Sequence, residues 1–367
     1  MNTAQFAGAF LAGLIIPQRA GHASVAIFGA VGVLIGLASL SMIKNPFAAY
    51  PAAILAGLCL GSSNLAGIVA LNAAVPAKKR ATFVGFATCG TSVGTILLPQ
   101  FYTLLTESIG WRWVMRITAA VSCVFLAAAA PFFTVEGASP RSLLSDRPTS
   151  GNRGAEPVEP TELGIQDVVQ DPRFLCWWLD MLVCFFGYFI PATLLAEFAK
   201  KELQLSPNLA ALCYSLVGVS ALIGKLSSGC LTHFFGGPRR LFFASQVLVG
   251  AVGCCLPFCW NAASLLVWSA VYGCGIGPVI AMISVVLSDL FGTKDLALYH
   301  GVSRTAEGAR NLIGIPLLSL LAEKQGFTIA LVLSGALVSF STVFLILLEL
   351  VQRRLAQRLP SAEESRC

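Results

Sequence analysis

LQLSPNLAALCYSLVGVSALIGKLSSGCLTHFFGG, residues 203–237, is an apolar run long enough to cross a bilayer, with Lys225 as its one full charge. A span needs about 20 predominantly apolar residues. A lysine inside a hydrocarbon layer costs about 2.5 kcal/mol or more unless it faces a wet cavity or a partner, which makes it a functional candidate. Gly224, Ser227, Ser228 and Gly229 surround it, and small residues suit a packed or wet helix face better than a lipid-facing one. The alternative is a lysine whose stem lies along apolar surface and lifts its ammonium to nearby headgroups.

The rest of the chain has the same character. Of 367 residues, 56% are hydrophobic and 11% charged, and the mean hydropathy is +0.78, far from the composition of a soluble domain. Charge-free runs occupy 45–77, 81–106 and 241–288, and the last is long enough for two spans. Their continuity, without alternation, excludes a β-barrel. The expected fold class is an all-α polytopic membrane protein.

The net charge of +6 is spread over short loops and the tail with no aromatic-basic cluster, so it reports membrane orientation and gives no support for a nucleic-acid partner. Most of the twelve cysteines lie inside apolar runs, including the dense group Cys254, Cys255 and Cys259, where thiols act as small hydrophobes. GCGIG (273–277) lies inside an apolar run with no strand before it, so it is not a dinucleotide fingerprint. No Ser-His-Asp, zinc-spaced or P-loop pattern is present. An enzyme and an ATP-driven pump are both poor readings, and no cofactor or metal is expected.

Periodicity and turn residues predict about eleven helices, near 1–17, 22–43, 50–76, 81–104, 111–133, 174–199, 207–232, 241–260, 263–290, 297–322 and 327–351. Arg19, then Lys78, Lys79 and Arg80, then Arg239 and Arg240, Lys294, and finally Arg353, Arg354 and Arg358 fall on alternate connections. The positive-inside rule places these in the cytosol, with the C-terminus there and the N-terminus outside. SPRSLLSDRPTSGNRGAEPVEPTE, within 134–173, has the composition of a disordered cytosolic linker. The expected organisation is an N-terminal bundle at 1–133, the linker at 134–173, a six-helix bundle at 174–351 and a cytosolic tail at 352–367.

The two halves resemble each other at a constant offset. Gly13 and Gly21 frame LIIPQRAG as Gly229 and Gly237 frame CLTHFFGG, a shift of 216 residues. Pro99 to Leu105 before Gly110 matches Pro316 to Leu321 before Gly326 at a shift of 217 and then 216. Such spacing is the mark of two parallel repeats of a transporter. The helix near 174–199 then has its counterpart before Met1, so a six-plus-six architecture is expected to lack its first helix here.

At residues 76–117 (PAKKRATFVGFATCGTSVGTILLPQFYTLLTESIGWRWVMRI), 185–191 (FFGYFIP), 218–236 (GVSALIGKLSSGCLTHFFG) and 271–292 (VYGCGIGPVIAMISVVLSDLFG) the chain resembles the major facilitator superfamily. More narrowly it is similar to the proton-linked monocarboxylate transporters. The resemblance runs from the family's second helix to its twelfth and implies two helical bundles. Lys225 falls where the family has an arginine in its eighth helix that engages substrate carboxylate, and Arg80 falls at the basic end of the loop before the fifth. Ala221 stands where animal members have an aspartate, and Val84 where some have an asparagine. The first helix, with its acidic-glycine motif and, in animal members, a proton-linked lysine, has no counterpart.

Arg304, Glu307 and Arg310 are spaced three apart, so Glu307 can neutralise either arginine. They read first as a ladder that locks the helix to its neighbours or sits at the cytosolic edge, and second as substrate contacts. Asp180 and Glu307 are candidate proton carriers, since a carboxylate on an apolar helix can exchange a proton during a cycle, although Asp180 also lies close to the cytosolic end, where a solvated edge fits as well. Tyr188 and Pro191 suggest a breakable helix with a polar tip, although plain packing of Tyr188 fits as well. His22, His233 and His300 are placed at cytosolic ends. Gly29, Gly32 and Gly36, Gly90 and Gly94, and Gly273, Gly275 and Gly277 mark faces where helices touch.

The functional expectation is a symporter or facilitator that moves a small organic anion, a monocarboxylate first, by alternating access, with or without a co-transported proton. Its site is expected to draw on Lys225, Arg304, Glu307, Tyr188 and Arg80, and its membrane to be the plasma membrane. An accessory membrane protein is left open. Alternatives are transport of another organic solute, or a transport-inactive truncated isoform or incomplete gene model.

Overall fold

The computed structural model describes residues 2–18, 21–43, 46–133 and 163–358, and no strand occurs among them. The N-terminal half holds α1 (Asn2–Gln18), α2 (His22–Met42), α3 (Pro46–Ala74), α4 (Ala77–Ile109) and α5 (Trp111–Ala129). The C-terminal half holds α6 (Ile165–Gln170), α7 (Pro172–Tyr188), α8 (Ile190–Lys201), α9 (Pro207–Phe234), α10 (Pro238–Cys255) and α11 (Ala262–Phe291). It ends with α12 (Leu296–Ala309), α13 (Ile315–Gln325) and α14 (Phe327–Arg358). Among the described residues nine helical segments are long and apolar enough to cross a membrane, and Thr3–Ile15 is a shorter apolar helix. All eleven predicted segments fall on helix; 296–325, which carries Arg304, Glu307 and Arg310, is not among the nine.

Local chemistry sets the helix ends. Pro172, Pro191, Pro207 and Pro238 occupy first-turn positions, where a missing N–H costs nothing. The Asp171 carboxylate accepts from Arg173 N at 2.8 Å and Asn261 Oδ1 from Ser264 N at 2.7 Å, capping α7 and α11. Gly110, Gly292 and Gly326 end α4, α11 and α13 at φ of +81°, +81° and +93°, a conformation side chains resist. Phe189 (φ −97°, ψ −11°) interrupts the rod between α7 and α8, two residues before Pro191, as the Tyr188–Pro191 motif suggests.

Packing repeats as the sequence does. α2 lies on α3 and α5 as α10 lies on α11 and α14, and α1 lies on α3 as α9 lies on α11. The two most extensive seams joining the halves are α1 with α12 and α4 with α9, and the 216-residue shift exchanges one for the other. Glycines mark both. A methyl group on Gly13 would come within 2.6 Å of Ala297 O and 2.9 Å of Gly301 Cα, and one on Gly85 within 2.5 Å of Lys225 O. One on Gly229 would meet the Thr82 side chain and come within 3.0 Å of its Cα. Gly13 and Gly229, and Gly85 and Gly301, are each one repeat apart, so backbone approach at one seam is reproduced at the other.

Gly29, Gly32 and Gly36 pack on Ser63, Cys59 and Ala56 of α3, while Gly273 and Gly277 pack on α9 and Gly275 on α10. Gly90 and Gly94 do not mark a helix contact: Gly90 has nothing within 4 Å and Gly94 only its own helix's Leu98. α4 uses Gly85 for the close approach instead. The segment read as a linker is structured at its end, where α6 buries Val168 and the Asp167 carboxylate accepts from Gly164 N at 2.8 Å; residues 134–162 lie outside the described residues. α14 likewise carries the helix past 351 to Arg358.

Candidate functional site

A cavity of about 380 Å³ lies between the halves, walled by α1, α3 and α4 on one side and by α7, α8, α9, α11 and α12 on the other. Most of its lining is apolar, with Ile68, Leu71, Val217, Ile276, Ile280 and Ile283 among the wall residues.

Lys225 lines it and is 2% exposed. Its ammonium donates to Thr88 O (3.2 Å), Thr91 Oγ1 (2.6 Å) and Ser92 Oγ (2.9 Å), all on α4. The glycines explain the reach: Gly85 brings the α4 backbone onto Lys225 O, and Gly224 seats α9 against Cys274 O of α11. Lys225 thus spans the two halves instead of lifting its charge to a surface. Ala221 and Val84, the two departures from the monocarboxylate transporter pattern, line the same cavity and give Lys225 no carboxylate.

α12 supplies the other polar wall through His300, Arg304, Glu307 and Arg310. Arg304 Nη1 donates to both Glu307 oxygens at 2.8 Å, so Glu307 neutralises Arg304 within α12 without tying that helix to a neighbour, and both residues line the cavity. Arg310 has no acidic partner among the described residues. Its guanidinium lies 4.5, 5.6 and 5.8 Å from the ring centres of Phe189, Phe185 and Phe6, favourable cation–π distances. Nη2 donates to Asn311 Oδ1 at 2.7 Å, and Nε is buried with no partner. Arg310 also opens a π-helical turn, Arg310–Gly314, a distortion common at functional sites. His300, near the start of α12, also lines the cavity: it is 1% exposed and neither ring nitrogen has a partner.

Three expected site residues lie elsewhere. The Tyr188 hydroxyl donates to Ile276 O (2.7 Å) and its carbonyl accepts from the Tyr272 hydroxyl (2.6 Å), so it pins the end of α7 to α11 from a fully buried position. Arg80 Nη1 donates to Ser288 Oγ at 3.1 Å, tying α4 to α11 outside the cavity lining. Asp180 is fully buried. Gln246 Nε2 donates to its Oδ1 at 2.7 Å and also to Ser341 Oγ, which sets the carboxyl between α7, α10 and α14, away from the cavity.

Residues the sequence reading passed over complete the site. Thr88, Thr91, Ser92 and Thr95 face the cavity from α4. Their i, i+3, i+4, i+7 spacing in TCGTSVGT, inside an otherwise apolar helix, is a legible signal. Phe185 and Phe189 stand one helical turn apart in FFGYFIP, but nothing in the sequence joins them and Phe6 to Arg310, which only the tertiary fold does.

A sequence model of the Major Facilitator Superfamily matches residues 2–198 and 178–366. The chain belongs to the Major Facilitator Superfamily. It resembles monocarboxylate transporters within that family: it is 26% identical to monocarboxylate transporter 13 of Bos taurus over 261 residues, 71% of this chain and 58% of that protein. It is 24% identical to monocarboxylate transporter 10 of Homo sapiens over 270 residues, 70% and 51% of the respective chains. It is also 24% identical to the agnestins efflux protein AgnL12 of Paecilomyces divaricatus over 275 residues, 75% and 59%. The chain therefore spans between half and three fifths of the length of these curated relatives. The fold matches crystal structures of the human organic anion transporter MFSD10 (TETRAN), with TM-score 0.71 and 16% identity over 94% of this chain and 81% of that one. It also matches a bacterial homologue of the iron transporter ferroportin, with TM-score 0.67 and 15% identity over 94% and 88%. This major facilitator protein is an integral, multi-pass membrane protein related to transporters and not to enzymes.

Proposed function

We propose that this major facilitator protein carries a small organic anion across its membrane by alternating access, with Lys225 receiving the carboxylate and monocarboxylates as the class to test first. The observation that carries the reading is a buried ammonium on the wall of a largely apolar cavity, bonded only to neutral oxygens of α4. Water is replaced there by fixed dipoles, which leaves the positive charge available to an anion. The aliphatic wall accommodates the carbon body. Of the two carboxylates considered for proton exchange, Glu307 is the one in the cavity, so a co-transported proton is assigned to it. The names of the relatives, monocarboxylate transporters and an organic anion transporter, support the same class.

The test is uptake of labelled lactate and of labelled benzoate by the purified chain in liposomes. Saturable uptake above protein-free liposomes is expected for at least one; a flux equal to that of protein-free liposomes for both overturns the reading.

A further inference from the structure

We propose that Arg310 forms a second anion subsite in the same cavity, so that the preferred substrate is an organic anion carrying two oxyanion groups on an apolar body. The inference rests on the organic-anion reading and deepens it.

Charge in the cavity does not balance. Lys225, Arg304 and Arg310 are cationic lining residues and Glu307 is the single acid among the described ones. Glu307 spends both oxygens on Arg304. Two buried cations therefore remain, and each is held by neutral groups: Lys225 by three oxygens of α4, Arg310 by three aromatic rings and the Asn311 amide oxygen. Buried charges are normally paired. A ligand with one carboxylate leaves one of these unpaired, whereas one with two satisfies both.

The Arg310 end also has free donor capacity. Its Nε is buried without a partner. Buried donors without partners mark places where a ligand or water completes the bonding. Phe185 and Phe189 stand beside the guanidinium and line the cavity, so the body of the ligand meets aromatic surface there. The π-helical turn that starts at Arg310 shifts the helix register at the residue that carries the subsite, as such turns do.

The experiment measures binding by calorimetry to the full chain in detergent, for two matched pairs: benzoate against terephthalate, and biphenyl-4-carboxylate against biphenyl-4,4′-dicarboxylate. In at least one pair the dicarboxylate is expected to bind about tenfold or more tighter, the scale of one charge-assisted hydrogen bond. Arg310→Gln should bring that ratio to near one, Arg310→Lys should keep part of it, and Lys225→Gln should weaken both members. Elution as a single folded species qualifies each variant, and the Lys variant stands in if the Gln variant does not fold. Equal binding of mono- and dicarboxylate by the parent in both pairs overturns the second subsite while the organic-anion reading stands. A parent ratio that survives Arg310→Gln unchanged, or Arg310→Lys with no loss where that variant stands in, overturns it as well. Binding of none of the four compounds overturns both.

Discussion

Lys225→Gln separates an anion site from a purely structural tie. Glutamine keeps most of the stem and two N–H donors but removes the charge. The fold has little to lose at the threonines: Thr91 Oγ1 already donates to Thr88 O at 2.8 Å and Thr88 Oγ1 to Val84 O at 2.9 Å, so these two hydroxyls keep partners when the ammonium goes, and the glutamine amide is left to serve Ser92 Oγ. The ligand loses a charge-assisted bond worth about 1.5–3 kcal/mol, an affinity drop of roughly ten- to a hundredfold or slightly more. Lys225→Arg retains the charge and should retain binding within about tenfold, because geometry rather than charge is altered. The assay is benzoate affinity by calorimetry together with uptake at equal protein density in liposomes. Equal affinity and uptake for Lys225→Gln and the parent would refute the assignment and leave Lys225 as a tie between α9 and α4.

Gly13→Ala should lower the melting temperature in detergent by an amount equivalent to about 1–3 kcal/mol, since its methyl meets backbone atoms of α12 that cannot turn aside. Gly90→Ala, with nothing within 4 Å, should cost nothing; matching losses would show that the seam does not depend on close approach. Asp180→Asn keeps the acceptor for Gln246 and should preserve both fold and transport, whereas Asp180→Ala should destabilise by about 1–3 kcal/mol because one buried N–H of Gln246 loses its acceptor. A folded Asp180→Asn without uptake would make Asp180 a proton carrier. Arg80→Ala removes the bond to Ser288 and should alter uptake rate while changing benzoate affinity by less than about twofold, under half a kcal/mol; a tenfold loss of affinity would place Arg80 in the site.

Hydropathy and punctuation made the helices legible because a bilayer span leaves few options: every backbone polar group must bond within its own helix. The 216-residue repeat was legible for the same reason, its glycines being fixed by backbone approach at the seams. Lys225 was legible as a lone cation, and the trio on α12 as charges at helical spacing. What the letters could not tell was direction. Arg304, Glu307 and Arg310 look equivalent along the chain, but Glu307 reaches back to Arg304 and leaves Arg310 to three aromatic rings, Phe6 of α1 and Phe185 and Phe189 at the end of α7. Asp180 and Tyr188 share the apolar setting of Lys225 in sequence, yet their helix faces turn into the C-terminal bundle. Rotation of a helix about its axis is set by packing partners distant in sequence, and Gly90 failed as a contact marker while Gly85 succeeded for that reason.

The placement of the cations bears on how binding and movement are linked. Both belong to the C-terminal half; the groups that hold Lys225, Thr88, Thr91 and Ser92 of α4, all come from across a seam, and Arg310 has one such neighbour in Phe6 of α1. An ammonium has three donors and all three of Lys225's are spent on α4, so a carboxylate that bonds to it must take the place of at least one α4 oxygen. That exchange happens beside Gly85, where the two backbones are in contact. On the organic-anion reading, loading the site therefore changes the bonding across the α4–α9 seam itself. An effect confined to one half would alter affinity alone. An effect that spans the seam biases the relative position of the halves, the differential interaction a ligand needs to shift a conformational equilibrium.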